Sequence, residues 1–437
     1  MRDWMAGREA ALADMLSLRE KRAAMQGRIL ARTGCTSLIC LTLNMAGPVK
    51  RTPLADLFFE EGRRQVAAAL TGLGLDWQEE VLEDQAGLTV CFPCGGAPGA
   101  VKAVMAELEE EGEASRLWDL DVLDASGRKV SRREAGFPER RCFLCDRPAA
   151  QCARSRAHSV AELQAYTGRV LGRWYAETRS QAVGRMAQRA LLHEVAATPK
   201  PGLVDRANNG AHRDMGFFTF LDSACVLGPY FTRCARWGLD HPDTPPEAVL
   251  SSLRTAGLRA EGEMNRVTGG VNTHKGAIFS LGLLCAAAGQ LLIQGGPQTA
   301  AALGALAGRM AASTDPNLAG ARGEAASGFR RALTALGALR KWLEAGEPWN
   351  DALVRTLLCL LRETEDTNLV KRGGKEGLAW ARRQARTLLK GPEVSLEAVE
   401  RLDISFIQRD LSPGGCADLL AVVCFFYFWE EGQGAGA

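Results

Sequence analysis

Asp119 and Asp121, in "RLWDLDV", sit two apart in a stretch with the apolar alternation of a β-strand. Side chains at i and i+2 leave a strand on one face, so the two carboxylates can act together. Such a pair suits Mg2+, which takes oxygen ligands and bridges phosphates; the alternative is a solvated strand face with ordinary acids. Downstream, residues 128–156 carry nine Lys/Arg against three acids in a chain whose overall charge is +2. A local basic cluster of this kind, with Arg154 and Arg156 at its end, fits a polyphosphate or an acidic protein partner. Inside it lie Cys142, Cys145, Cys152 and His158, a CxxC followed by Cys and His that is compatible with tetrahedral zinc or with plain reduced thiols.

The second half of the chain concentrates its polar residues differently. Four glycine-bearing segments interrupt apolar stretches: "TPKPGLVDRANNGAHRDM" (198–215), "TGGVNTHKGAIFSLG" (268–282), "EDTNLVKRGG" (365–374) and "SPGGCADLLA" (412–421). Asn272 or Thr273 can cap the following helix, whose free N–H groups form an anion site, with His274 and Lys275 adding donors and charge. Glu261 lies one helical turn before Asn265; Glu194 precedes the first loop, and Asp366, Asn368 and Arg372 fall in the third. Carboxylates, cations and amides gathered in this way point to Mg2+-nucleotide chemistry without a Walker loop or a dinucleotide fingerprint.

The elements that must position these groups divide the chain in two. Up to about residue 175, strand-like runs at 36–45, 86–94 and 116–133, the last read as strand, turn and returning strand, alternate with helices at 5–32, 60–72 and 99–112. The acids at 107–113 read as a solvated helix face. This part reads as α+β. Beyond about residue 160 the pattern is helical throughout: 160–197, 216–236, 247–267, 276–293, 297–313, 325–345, 350–366 and 417–430. We therefore expect an N-terminal α+β domain over 1–175 and a C-terminal all-α bundle over 183–437, its polar loops at one end. The apolar stretch 276–293 reads as a buried core helix and not as a membrane span.

"TLNMAGPVK" (42–50), "RLWDLDV", "SR" (131–132) and "RRCFLCDRPAAQCARSRAHSVAEL" (140–163) together resemble the apo-citrate lyase phosphoribosyl-dephospho-CoA transferase family over roughly residues 8–175. The resemblance implies a nucleotidyltransferase-like site in which Asp119 and Asp121 are catalytic and bind Mg2+. It implies transfer of a phosphoribosyl-dephospho-CoA group to a serine of the acyl carrier protein (gamma subunit) of citrate lyase, with diphosphate released. Ser115 stands where that family usually has Gly, and "EEEGEA" where it often has a histidine-containing stretch. The four polar loops, in order, resemble the triphosphoribosyl-dephospho-CoA synthase family over about 183–430. That resemblance implies attack of the dephospho-CoA 2′-hydroxyl on C1 of the ATP ribose, with adenine leaving and the triphosphate intact. Displacement at an anomeric carbon passes through an oxocarbenium-like state that a carboxylate can stabilise. On this reading Asp205 or Asp366 supplies that carboxylate and Glu194 and Glu261 the Mg2+ shell. His212 or His274 protonates adenine; Lys200, Lys275 and Arg372 hold the triphosphate; and Asn208, Asn209 and Asn272 contact ribose or base.

The composition bounds the alternatives. With 46% hydrophobic and 24% charged residues and a near-neutral balance, no global field favours nucleic acid or an anionic membrane. Thirteen cysteines and a charged, helical opening lead us to expect reduced thiols and a cytoplasmic location. The rival readings are the equivalent enzyme pair for malonate decarboxylase, a nucleoside hydrolase-like enzyme, and a zinc-bearing adaptor fused to a degenerate helical domain.

Overall fold

In the computed structural model, residues 4–312, 320–391 and 394–434 are described. The described residues form two compact units, one up to residue 175 and one from residue 176 on, and their boundary falls within one long helix. The first unit is α1 (Leu12–Thr33), β1 (Ser37–Leu43), α2 (Pro53–Gly72), β2 (Glu80–Asp84), β3 (Gly87–Cys94), α3 (Pro98–Glu110), β4 (Trp118–Asp124) and α4 (Ala149–Ser155). The boundary helix is α5 (Val160–Ala196).

The four strands make one antiparallel sheet in the order β2-β3-β1-β4. Residues directly opposite in such a ladder share a face. Leu38 and Cys40 of β1 and Cys91 of β3 pack against Met25 and Ile29 of α1. On the other face Trp118 stacks on Phe58 of α2 at 4.9 Å. The register sets Asp121 opposite Cys40 and Asp119 opposite Thr42, so both acids lie on the α1 face, on edge strand β4. Three features depart from the sequence reading. β2, "EVLED", is too acidic to read as a strand. The returning strand after Gly127 is reduced to a bridge between Leu123 and Lys129. Glu109, expected on a solvated face, is 2% exposed and accepts the Leu120 N–H at 2.8 Å while pairing with Arg132 and Arg140.

The second unit adds α6 (Phe217–Asp240), α7 (Pro246–Val267), α8 (Lys275–Gln294), α9 (Ala300–Ala311), α10 (Gly320–Ala326), α11 (Arg330–Glu344), α12 (Trp349–Glu363), α13 (Thr367–Leu388), α14 (Leu396–Gln408) and α15 (Gly414–Gly434). The final residue of the expected 297–313 helix lies outside the described residues. α8 is apolar on nearly every side and is the one described helix long and apolar enough to cross a membrane; it is buried among the other helices. Its approach to α6 depends on missing side chains. An added Cβ on Gly238 would lie 2.1 Å from the Ala286 carbonyl oxygen, and one on Gly289 would lie 2.2 Å from that of Ala235. α13 went unread because Gly373-Gly374 breaks its pattern; Asp366 caps it, and it kinks at Gly374, where φ is +63°.

Candidate active sites

In the first unit, Asp119 borders a cavity of about 330 Å3 whose rim includes Arg19 and Arg22 of α1, Thr42, and Lys50 and Arg51 from the end of "TLNMAGPVK" and the residue after it. Partial burial, and then the neighbouring Asp121 carboxylate, raise the Asp119 carboxyl above the usual aspartate value. Each acid already has a cation: Arg140 stands 3.6 Å from Asp119, and Lys129 is 2.5 Å from Asp121. Two carboxylates on one face of an accessible edge strand, one of them raised by the other, fit a divalent cation. The cations of α1 and the 50–51 turn were not singled out in the sequence, because Arg19 and Arg22 on an amphipathic helix look like any solvated face.

The basic 128–156 segment lines a separate, larger cavity of about 1220 Å3 in the same unit, with Arg116, Arg132, Arg140, Arg141 and Arg156 on its wall. Arg154, expected beside Arg156, is exposed and does not line it. Buried Glu109 anchors this wall by holding Arg132 and Arg140 together. Cys142, Cys145, Cys152 and His158 converge here with their ligand atoms all within 4.8 Å of one another. The Cys145 thiol is lowered to about 6 by the Arg147 backbone N–H, the Arg147 side chain and His158.

In the second unit, a cavity of about 150 Å3 gathers residues from all four polar loops. Glu194, Lys200, His212, Asn272, His274, Lys275, Arg372 and Asp418 line it. Lys200 is 1% exposed; its ammonium pairs with the Glu194 carboxylate and donates to the Glu194 carbonyl at 2.8 Å. Burial raises the Glu194 carboxyl against the pull of Lys200. His274 is fully enclosed and is lowered to about 3 by burial and by Lys200. Its Nδ1 meets the Ser223 hydroxyl at 2.7 Å, and its Nε2 has no hydrogen-bond partner. His212 meets the Ser412 hydroxyl at 2.9 Å and Arg372 at 3.3 Å, and burial and Arg372 lower it below the ordinary histidine value.

Several expected residues are held elsewhere. Asp205 is 1% exposed and spends its oxygens on backbone N–H groups of Lys200, Ala207 and Asn208, so it organises the first loop and does not line the cavity. Asp366 accepts from Asn368, Leu369 and Cys416 backbone N–H groups, joining the third loop to the fourth. Both are carboxylates that an under-capped helix end or tight loop needs. Glu261 pairs with Lys275 at 2.9 Å and is not on the cavity wall. Asn208 donates to Asp403 at 2.8 Å, and Asn209 lies exposed away from the wall. Asn272 does line it, and its Oδ1 accepts the Lys275 N–H at 3.1 Å, although the N-cap position of α8 is His274.

Asp418 is the residue the sequence reading passed over. In "CADLLA" it looks like the first polar position of an amphipathic helix. It lies against the α8 N-terminus, bonded by the Ala277 N–H. An added Cβ on Gly276 would come within 2.0 Å of its Oδ2, which gives the glycine in "THKGAIF" a reason. Burial, Glu194 and Asp366 push its carboxyl up to about 8.

Two units, each with acids and cations around its own cavity, have the makings of a transferase with two active sites. Comparison with known proteins agrees. Residues 10–174 match the family described as apo-citrate lyase phosphoribosyl-dephospho-CoA transferase. Residues 180–313 and 306–436 match ATP:dephospho-CoA triphosphoribosyl transferase. The chain belongs to both families, as a fusion. It is 34% identical to Protein CitXG of Haemophilus influenzae, over 96% of each chain, and 31% identical to Protein CitXG of Leuconostoc mesenteroides, over 96% of this chain and 97% of the other. A probable 2-(5''-triphosphoribosyl)-3'-dephosphocoenzyme-A synthase of Pectobacterium carotovorum is 43% identical over 55% of this chain and 86% of its own.

Proposed function

We propose that the chain makes and attaches the prosthetic group of citrate lyase. The second unit joins ATP to dephospho-CoA and releases adenine. The first transfers the phosphoribosyl-dephospho-CoA group to a serine of the citrate lyase acyl carrier protein, the gamma subunit, and releases diphosphate. The observation that carries this reading is the presence of both family regions in one chain matching the CitXG proteins almost end to end. The transferase half favours the citrate lyase pathway over malonate decarboxylase. The cytoplasm is the compartment that keeps thiols such as these thirteen reduced.

In the second unit we assign the acid to Asp418. Burial raises both carboxyls; neighbouring acids add to it at Asp418 while the Lys200 ammonium opposes it at Glu194, and that asymmetry divides acid from base. Asp418, facing two other acids, keeps its proton at neutral pH; Glu194 has the Lys200 ammonium as counter-ion. Asp418 donates its proton to the departing adenine, and the Glu194 carboxylate stabilises positive charge at the anomeric carbon and takes the proton of the attacking 2′-hydroxyl. His274 is neutral near pH 7 and offers its unpartnered Nε2 as a hydrogen-bond partner. Lys275 and Arg372 face the triphosphate. The cavity is smaller than the roughly 300–1,000 Å3 that encloses a drug-sized ligand, so it takes the reacting portions of two nucleotides and not their whole length. With Asp418 protonated, Glu194 is the lining acid left to meet Mg2+ there, which would neutralise triphosphate charge.

In the first unit, which we read as nucleotidyltransferase-like, Asp119 and Asp121 would hold Mg2+, which neutralises the leaving diphosphate. Arg19, Arg22 and Lys50, with Arg51 held beside them by Asp56, face its oxygens, and the larger arginine-walled cavity faces the carrier protein. The test supplies ATP, Mg2+ and dephospho-CoA, then apo carrier protein, and follows adenine and carrier mass. Adenine released only with dephospho-CoA, followed by a carrier mass gain of one prosthetic group, is the expected result. Adenine released equally without dephospho-CoA would instead mark a hydrolase.

A further inference from the structure

The cysteine–histidine cluster of the first unit takes no part in either reaction as described. Its four side chains come from a stretch between β4 and α5 whose only helix is the seven-residue α4. Cys142 and Cys145 flank a tight turn, Cys152 lies on α4, and His158 follows it just before α5. Cys142 and Cys152 are buried, and Cys145 and His158 are half-buried. Cys145 Sγ lies 3.4 Å from Cys152 Sγ and 3.4 Å from His158 Nε2. Those spacings exceed a disulfide bond of about 2.05 Å. They approach the separation of about 3.8 Å between ligands of a tetrahedral ion with Zn–S bonds of about 2.3 Å.

The backbone around the sulfurs supports the same reading. The Leu144 N–H approaches Cys142 Sγ at 3.5 Å, and the Arg147 N–H bonds to Cys145 Sγ. Each donor lies two residues beyond its cysteine, so the CxxC turn points amides at sulfur, where thiolate charge gathers when a cation is bound. A CxxC pair occurs also at Cys91 and Cys94, but on a strand, with Cys40 opposite Cys91, and among the described residues they belong to no group of three or more potential metal ligands.

We propose that Cys142, Cys145, Cys152 and His158 bind one zinc ion that fixes the wall of the arginine-lined cavity. Four protein ligands leave no open position, so the ion is structural and not a catalyst. What it would hold in place is chemically specific. The Arg116 guanidinium donates to the Arg141 and Cys142 carbonyls, both at 3.0 Å, and lies 5.4 Å from the Phe143 ring. Phe143 in turn stacks on Tyr166 of α5 at 5.4 Å. The ligands thus tie the 140–145 turn, with Arg140 and Arg141, to α4 and to the start of α5. Turn-rich segments with so little apolar core commonly depend on such a cross-link.

The test is metal analysis of the full-length protein purified without chelator from zinc-supplemented cells. About one zinc per chain is expected, falling below about 0.2 in Cys145→Ser and in Cys152→Ala and unchanged in Cys225→Ser, whose cysteine is exposed on α6. Should the cluster variants fail to fold, the wild-type protein still decides. Exchange of its metal for cobalt(II) is expected to give the intense visible bands of a tetrahedral thiolate site. Removal of the zinc by chelation, with the chelator then removed and Mg2+ restored, is expected to raise the KM for carrier protein and to leave adenine release unchanged. Wild-type protein that neither contains zinc nor takes up cobalt, zinc retained in both cluster variants, or a Cys145–Cys152 disulfide in protein alkylated at harvest would each overturn the proposal.

Discussion

Beside Asp119 the cations stand around an open cavity and the two acids are partly solvated, with side chains 42% and 30% exposed. Around the smaller cavity of the second unit, Glu194, Lys200 and His274 are each no more than 3% exposed. The difference follows the chemistry proposed for each. Displacement at a phosphate needs positive charge on oxygens that are already anionic, and solvated arginines and a divalent cation supply it. Displacement at an anomeric carbon needs a proton held at neutral pH and a carboxylate at close range. Removal from water, with like charges close by, moves an aspartate far enough to keep that proton.

Breaking the first site is expected to have the largest effect. Asp119→Asn removes a metal oxygen from one site alone, so carrier modification should fall on the order of 10³-fold, the several kcal/mol such an ion supplies. Adenine release should keep its wild-type rate. In the second unit, Asp418→Asn should lower kcat for adenine release by about 10²–10³-fold with little change in KM, the usual cost of losing a general acid. The pH profile sharpens the contrast. Wild-type adenine release should decline as pH rises through about 8, where Asp418 loses its proton, and carrier modification should show no such limb.

Smaller effects concern the supports. Glu109→Gln leaves Arg132 and Arg140 without their buried partner, and the first unit should lose about 3 kcal/mol in denaturant unfolding. Arg22→Gln should raise the KM for the triphosphoribosyl substrate about tenfold, one charge-assisted phosphate contact, with kcat nearly unchanged. His274 acts only through pH. Its folded value of about 3 lies below the ordinary 6.5, so the unfolded chain takes the proton first. Its stabilising contribution is complete above about 6.5 and drains as pH falls toward about 3. His274→Gln should flatten that part of the acid-unfolding curve of the second unit, as followed by circular dichroism.

What could be read from the sequence was whatever depends on local order. The i, i+2 spacing of Asp119 and Asp121 requires only a strand, and β4 provides one. The apolar run at 276–293 requires only burial, and α8 has it. The four polar loops predicted a common cavity because each interrupts a long helical pattern, and all four contribute to its wall. Roles within the cavity were not legible. Asp205 and Asp418 are both aspartates in glycine-bearing segments, and only the fold turns one toward the amides of its own loop and the other toward the α8 N-terminus. Glu109 hid in a run of acids, where burial depends on arginines more than twenty residues away. β2 and α13 were missed because acids and paired glycines outvoted a pairing that the sheet and the neighbouring helices impose.

The central claim is that one chain carries two independent sites working in succession, and parallel assays of Asp119→Asn and Asp418→Asn test it most directly. Each variant is given ATP, dephospho-CoA and apo carrier protein, with preformed triphosphoribosyl-dephospho-CoA in a second set. Asp119→Asn should release adenine at the wild-type rate and leave the carrier mass unchanged in both sets. Asp418→Asn should release almost no adenine yet modify the carrier fully once the preformed intermediate is supplied. Loss of both activities in either well-folded variant would contradict the account.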